Sequence, residues 1–280
     1  MKEILEHIRN RLEQCVDSSE TETVTRALCL ELLGISQSDF YLKSKVVLPA
    51  DRKTLLDSAL ERLAAGEPLQ YVLGNTPFAG LEFHVDRRVL IPRPETAELV
   101  AWILDDHHSE TGSLLDVGTG SGCIAVSFSV NRPGWSVCAC DVSDGALEVA
   151  QGNCDLNHSN VRFFNLDILS PAECLSGLDV IVSNPPYITV SEKDGMEKTV
   201  LDFEPELALF VPDNDPLLFY RAVAAYGQKA LRAGGTIYFE INPLFAHELC
   251  EMLGRLGYSD VEIRRDIFGK ERMIKAIYHE

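Results

Sequence analysis

Apolar positions in the first 75 residues recur every three or four places. Ile4, Leu5, Ile8 and Leu12 form one set, Val24, Ala27, Leu28 and Leu32 a second ahead of Gly34, and Leu55, Leu56, Leu60 and Leu63 a third ahead of Gly66. That is the period of helices burying one face, and the spacing predicts a small helical bundle whose third helix is capped by Asp51. "EFHVDRRVLIP" then alternates like a short hairpin, and "RPET" opens a further helix with Pro94 in its first turn. From Ser113 the pattern becomes strand, turn and helix in repetition. The predicted strands are "SLLDVG", "WSVCACD", "VRFFNLD", "LDVIVSN", "GGTIYFEI", "DVEIRRDI" and "RMIKAIYH". Most of the early ones are apolar throughout, as strands covered on both faces must be. The fold class is therefore α/β, a doubly wound sheet preceded by a helical bundle. Ligands of such sheets lie beyond the carboxyl ends of the strands, where strand order reverses.

Composition changes this picture in three respects. The chain carries 25 basic and 43 acidic side chains, a formal charge of −18, and residues 1 to 75 hold only 9 of the basic and 12 of the acidic ones. Nearly all of the negative charge thus falls on the α/β part, which would repel a phosphate backbone, so no direct nucleic-acid partner is expected. No apolar run approaches the length of a membrane span, and "MKEILEHIRN" mixes charges where a secretory signal would be cationic and then apolar, so a cytoplasmic protein without membrane association is expected. The eight cysteines offer no C-x-x-C pair, Cys138 and Cys140 alternate along one strand, and the seven histidines are scattered. Reduced thiols and no metal site are expected.

The first α/β strand ends in "DVGTGSGCIAV", where Gly118, Thr119, Gly120, Ser121 and Gly122 form a loop whose backbone can approach a ligand closely. A dinucleotide fingerprint would need its third glycine one position later, where Cys123 stands, and a bland tight turn before a buried helix would have the same look. Asp141, 19 residues after Gly122, ends the second strand where a carboxylate can accept from both hydroxyls of a ribose. Asp167 closes the third strand and can receive an adenine amine, with Ile168 offering an apolar face to the ring. Each acid alone is an ordinary helix cap. Together they point to an adenosine-containing cofactor without a pyrophosphate.

The fourth strand ends in "NPPY", Asn184, Pro185, Pro186 and Tyr187. The prolines end sheet pairing and stiffen the corner. Read blandly, this is a strand stopped by prolines with Asn184 as turn former.

The glycine loop with Asp141 resembles the S-adenosylmethionine site of Rossmann-like methyltransferases, and Asn184 to Tyr187 resembles the signature of those that methylate planar, amide-like nitrogens. "PLQYVLGNTPFAGLEFHV", "VLIPRPET", "FEPELAL", "FYRAV", "GGTIYFEI" and "DIFGKERMIKA" further resemble the HemK/PrmC family, from about Leu69 to the end. The resemblance implies a partner-binding helical bundle at 1–74, a linker with a β-hairpin at 75–95, and a Rossmann-like methyltransferase domain at 96–280. It implies methylation, with S-adenosyl-L-methionine, of the glutamine of the Gly-Gly-Gln motif in peptide chain release factors. Gly118 to Gly122, Asp141, Asp167, Ile168 and Asn184 would hold the cofactor, and Asn184 to Tyr187 the substrate. Arg93 and Glu95 are further substrate-binding candidates, while Glu204 and Glu240 are left without a role. Three positions depart from the family: Ala97 replaces a common glutamate, "LFVPDNDPLLFYR" lacks the usual glycines, and Asn242 stands where a glycine is frequent.

An amide nitrogen shares its lone pair with its carbonyl and is a reluctant nucleophile. The Asn184 side-chain oxygen and the Pro185 backbone carbonyl can accept both hydrogens of an NH₂ group and fix where the lone pair emerges. Positioning of this kind is worth about 7–11 kcal/mol in well-oriented cases, so no dedicated base is required. Tyr187 would lie against the flat amide with its hydroxyl free to find a partner, making replacement by phenylalanine mild. Competing readings are an adenine methyltransferase of DNA or RNA, a glutamine methyltransferase of a ribosomal protein, and a non-catalytic adenosine-binding scaffold.

Overall fold

In the computed structural model, residues 1–13 and 19–279 are described, and they divide into two compact units, 1–75 with 197–203, and 76–196 with 204–280. In the first unit, helices span Lys2–Leu12, Thr21–Ala27, Gln37–Tyr41, Ala50–Ala64 and Leu69–Leu73. Ile8, Leu12, Leu28, Leu56 and Leu60 are almost wholly buried in its core. The periodic reading holds for these positions and departs in three places, the first being Leu55, which is exposed although it belongs to the third apolar set. Leu28–Leu32 is wound as a π-helix, the Leu33 N–H reaching the Leu28 carbonyl at 3.0 Å. The extra residue in that turn brings Leu33 rather than Leu32 into the core. Asp51 is not the cap of Ala50–Ala64: Pro49 holds that position without a side-chain bond, and Asp51 lies in the first turn, where its charge complements the helix dipole. Gly66, with φ +87°, lies just beyond the end of that helix.

The second unit is built on a seven-stranded sheet. Its strands are β3 (Ser113–Val117), β4 (Ser136–Asp141), β5 (Val161–Asn165), β6 (Leu178–Ser183), β9 (Leu231–Glu240), β10 (Tyr258–Arg265) and β11 (Glu271–Tyr278). Their order is β10-β11-β9-β6-β3-β4-β5, parallel except for β11, which runs antiparallel to both neighbours. Order reverses between β3 and β6. Side chains alternate across the sheet, so in β6 Val180 and Val182 face one layer and Ile181 the other. The first layer is completed by helices Pro94–Asp106, Cys123–Asn131 and Asp144–Leu156, and the second by Leu218–Ala230 and Ala246–Arg255. This is the three-layer arrangement of a doubly wound domain.

The hairpin lies earlier than "EFHVDRRVLIP" suggests: β1 (Asn75–Phe78) pairs with β2 (Leu81–His84). Ala79 at φ 48° and Gly80 at φ 79° give the two left-handed positions of a tight turn whose twist matches paired strands. Val85, Val89 and Ile91 are buried, so the alternation beyond His84 is real, but those residues form no ladder. Alternation reports which side is covered, not what pairs with the backbone. A two-residue parallel ladder, β7 (Ile188–Thr189) with β8 (Phe210–Val211), fastens the chain just after the proline corner.

Candidate active site

A cleft open to solvent lies at the carboxyl ends of β3, β4, β5 and β6. On one side is the glycine loop. Gly118, Gly120 and Gly122 have φ of 73°, 55° and 80°, and a side chain at Gly118 or Gly120 would meet nothing within 4 Å, so both open onto the space a ligand would take. Gly122 has a different constraint: a Cβ there would stand 3.1 Å from that of Ala150, which lets the helix at Cys123 pack closely.

The loop is fastened from below and from the side. Gly118 and Thr119 donate N–H bonds to the Cys140 carbonyl of β4 at 2.9 and 3.0 Å. Asn153, fully buried, donates from Nδ2 to the carbonyls of Ser121 and His84, both at 2.9 Å, and accepts from the His84 N–H at 2.6 Å. Asp116, also fully buried, accepts from the Thr119 hydroxyl at 2.6 Å. Burial pushes its carboxyl up to about 7, against the lowering effect of that bond. Neither Asn153 nor Asp116 announces itself in the sequence, because a polar residue buried inside a helix or strand looks one-dimensionally like any surface position.

Asp141 accepts from the Gly120 N–H on one oxygen and from the Ser143 N–H on the other, both at 2.9 Å, and lines the cleft. Each oxygen keeps accepting capacity for a ribose hydroxyl. Burial raises its carboxyl above the usual range, opposed by those backbone bonds. Asp167 and Ile168 line the cleft as well, though β5 ends at Asn165, so both stand on the following loop rather than closing the strand. Asp167 uses one oxygen on the Leu169 N–H at 2.9 Å. Open glycine positions, a carboxylate at the second strand end and an exposed acid beside an apolar residue at the third fit an adenosine-bearing cofactor.

On the other side of the cleft stand Asn184, Pro185 and Pro186. Tyr187 does not line it: its ring packs against the core below, and its hydroxyl donates to the Glu240 carboxylate at 3.1 Å. The hydroxyl thus has a fixed partner, and phenylalanine there would leave a buried carboxylate short of a donor. Glu240 ends β9 and is 2% exposed; its second oxygen accepts from the Thr96 hydroxyl at 2.6 Å, and Thr96 in turn stands 3.2 Å from Asn184 Nδ2. Burial raises the Glu240 carboxyl, while Thr96, Tyr187 and the nearby Arg272 guanidinium lower it. Asn242 donates from Nδ2 to the Tyr187 carbonyl at 3.1 Å and to Glu192, so a side chain where the family often has glycine adds a tie at this corner.

Arg93 lines the cleft and pairs with Glu204, whose other oxygen accepts the Ile91 N–H at 3.1 Å. Its charge is therefore committed within the protein. Glu95 does not line the cleft. Among the described residues no group of three His, Cys, Asp or Glu side chains is placed to hold a metal ion, and no helix is long and apolar enough to cross a membrane.

Comparison with known proteins agrees with this geometry. Residues 3–74 match a family model described as the PrmC N-terminal domain, and residues 95–201 one described as the methyltransferase small domain. A release factor glutamine methyltransferase of Bacteroides thetaiotaomicron is 43% identical over 278 residues, 99% of each chain, and one of Flavobacterium psychrophilum is 40% identical over 95% of this chain and 94% of its own. A methyltransferase structure from Pyrococcus furiosus superimposes with TM-score 0.54 at 19% identity, covering 72% of this chain and 90% of that one, which speaks to fold alone. The fold and its cleft define a Rossmann-like, S-adenosylmethionine-dependent methyltransferase. The chain belongs to the family of release factor glutamine methyltransferases.

Proposed function

We propose that this protein methylates the side-chain amide nitrogen of the glutamine in the Gly-Gly-Gln motif of peptide chain release factors, using S-adenosyl-L-methionine and leaving S-adenosyl-L-homocysteine. The single observation carrying the reading is one cleft lined both by the glycine loop with Asp141 and by the Asn184-Pro185-Pro186 corner. The cofactor supplies a methyl group already activated on a sulfonium. Gly118 to Ser121, Asp141, Asp167 and Ile168 hold it, with Gly122 shaping the loop and Asn184 adjoining it.

The protein's own residues act on the nucleophile. Asn184 Oδ1 and the Pro185 carbonyl accept the two hydrogens of the glutamine NH₂ and hold the group so that its lone pair is drawn out of conjugation with its own carbonyl. These bonds strengthen as positive charge grows on nitrogen, so they favour the transition state over the bound substrate. One of those hydrogens leaves as a proton to solvent once the N–CH₃ bond has formed. Pro186 locks the Pro185 carbonyl in place, and Tyr187 braces the corner from below. Arg93 acts on substrate indirectly, by fixing with Glu204 the segment at Ile91 that borders the cleft, and Glu95 contacts the release factor outside the cleft.

The helical bundle at 1–74 grips the release factor away from its glutamine, with 75–95 as linker to the catalytic domain at 96–280. The enzyme works in the cytoplasm, without metal and without contacting nucleic acid directly; its acidity supports the last point. The test is incubation of the purified chain with methyl-labelled cofactor and a release factor. Label on the wild-type release factor and none on a variant lacking that glutamine is expected. Absence of label, or label that survives the replacement, refutes the reading.

A further inference from the structure

We propose that Thr96 and Glu240 are positioning residues that set which way round the Asn184 carboxamide faces, so that its oxygen and not its nitrogen is presented to the substrate. The inference rests on the reading of Asn184 Oδ1 as an acceptor for the glutamine amide. Its own evidence is the direction of two hydrogen bonds.

The carboxamide of an asparagine has oxygen and nitrogen ends of nearly equal size on a torsion with a broad, two-fold preference, so packing hardly distinguishes its two orientations. Only the polarity of its partners does. The Thr96 hydroxyl is 2.6 Å from Glu240 Oε2, and both residues are 2% exposed. In its ionised form Glu240 only accepts, and the hydrogen between them is then that of Thr96. A hydroxyl has no second hydrogen. At its 3.2 Å contact with Asn184 the Thr96 oxygen can therefore only accept, and the group facing it must be the NH₂ end. The carbonyl end is thereby turned away from Thr96 and offered to the cleft that Asn184 lines.

The other Glu240 oxygen accepts from Tyr187 at 3.1 Å, and a phenol likewise has a single hydrogen to give. With a donor on each oxygen the carboxylate stays in one rotamer. Its backbone carbonyl also accepts from the Tyr220 hydroxyl at 3.2 Å. A hydroxyl alone could point either way. A strict acceptor at the root gives the whole chain its direction, which accounts for a buried acid where apolar packing would fold as well.

The experiment compares wild type, Thr96→Val and Thr96→Ser for thermal stability, S-adenosylhomocysteine affinity, and kcat and KM on a release factor. Thr96→Val keeps the shape and removes the hydroxyl. It should bind cofactor within about threefold of wild type and lose about 10- to 100-fold in kcat, because the amide can then reverse. Thr96→Ser should recover most of that loss. Wild-type kcat in folded Thr96→Val, or equal losses in both variants, would overturn the proposal.

Should Thr96→Val not fold, Thr96→Ala takes its place with the same outcomes. A second readout does not need the substrate: the Asn184 side-chain NH₂ protons in wild type should exchange with water more slowly than those of surface asparagines. Fast exchange in wild type overturns the arrangement even if the enzyme is active. Slow exchange that becomes fast in Thr96→Val, in a protein that methylates no release factor, leaves the arrangement standing and removes the assigned substrate instead.

Discussion

At the end of β3 the side chains of Asp141 and Asn153 and the Cys140 carbonyl all bind the glycine loop's own backbone, the Gly118 and Thr119 N–H groups reaching that carbonyl, Gly120 N–H reaching Asp141, and Asn153 reaching the Ser121 carbonyl. The corner after β6 is held by side chains from far along the sequence: Thr96 lies 88 positions before Asn184, and Glu240 lies 53 after Tyr187. The difference is one of task. A cofactor loop needs a backbone shape, which glycines permit and which a parallel neighbour and side chains bound to the loop's main chain hold in place. A substrate clamp needs donors and acceptors in one orientation, which only converging side chains can impose.

The largest effect should come from breaking the clamp itself. Asn184→Ala removes one of two acceptors and should lower kcat by about 10²–10³-fold, roughly 3–4 kcal/mol of transition-state stabilisation, in single-turnover methylation of a release factor. The loop half can be probed through the acid beneath it. The Asp116 carboxyl is raised from 3.8 to about 7, so between those values the folded protein binds more protons than the unfolded chain, and this group's stabilising contribution, complete below about 4, is lost as pH rises through 7. In urea titrations Asp116→Asn should therefore gain unfolding free energy relative to wild type as pH rises from 4 to 8, by at most about 1.4 kcal/mol per pH unit. A flat difference across that range would sink the assignment.

Gly122→Ala forces a left-handed backbone on alanine and presses a methyl against Ala150. It should destabilise by about 1–3 kcal/mol in urea titration and weaken cofactor binding in calorimetry. Tyr187→Phe leaves Glu240 one donor short and should cost about 1–2 kcal/mol of stability. Its kcat should fall by less than tenfold, since Thr96 still holds the carboxylate. A larger loss in turnover than in stability would give the Tyr187 ring a direct part in substrate contact.

The same contrast explains what could be read in one dimension. The glycine loop, Asp141 and the proline corner are legible because each is a local pattern whose physics is complete within a few residues. The seven long strands are legible too, most of them to within two residues: β3 and β6, covered on both faces, read as apolar runs, while in the largely exposed β10 only Val261 and Ile263 alternate with polar residues. Glu240 stands out only as a polar residue of undecided purpose and Thr96 not at all, because their meaning lies in a carboxylate meeting a hydroxyl 144 positions away. The alternation of Val85, Val89 and Ile91 reflects real burial, yet it carries no information on backbone pairing, and the hairpin falls instead where Ala79 and Gly80 can turn. The wide turn at Leu28–Leu32 escapes periodicity because one added residue rotates the apolar face without interrupting it.

The clasp made by Asn153 has a bearing on how the enzyme comes into being. Its bonds bridge 69 positions to His84 and 32 to Ser121, so the cradle acquires its final contour only after the hairpin and the helix bearing Asn153 have met. Closing a segment of that length costs conformational entropy much as pairing β3 with β6 does, since those strands are 66 positions apart. Cofactor capture therefore leans on a contact outside the sheet, and loosening Asn153 alone should weaken it while the strand ladder stands.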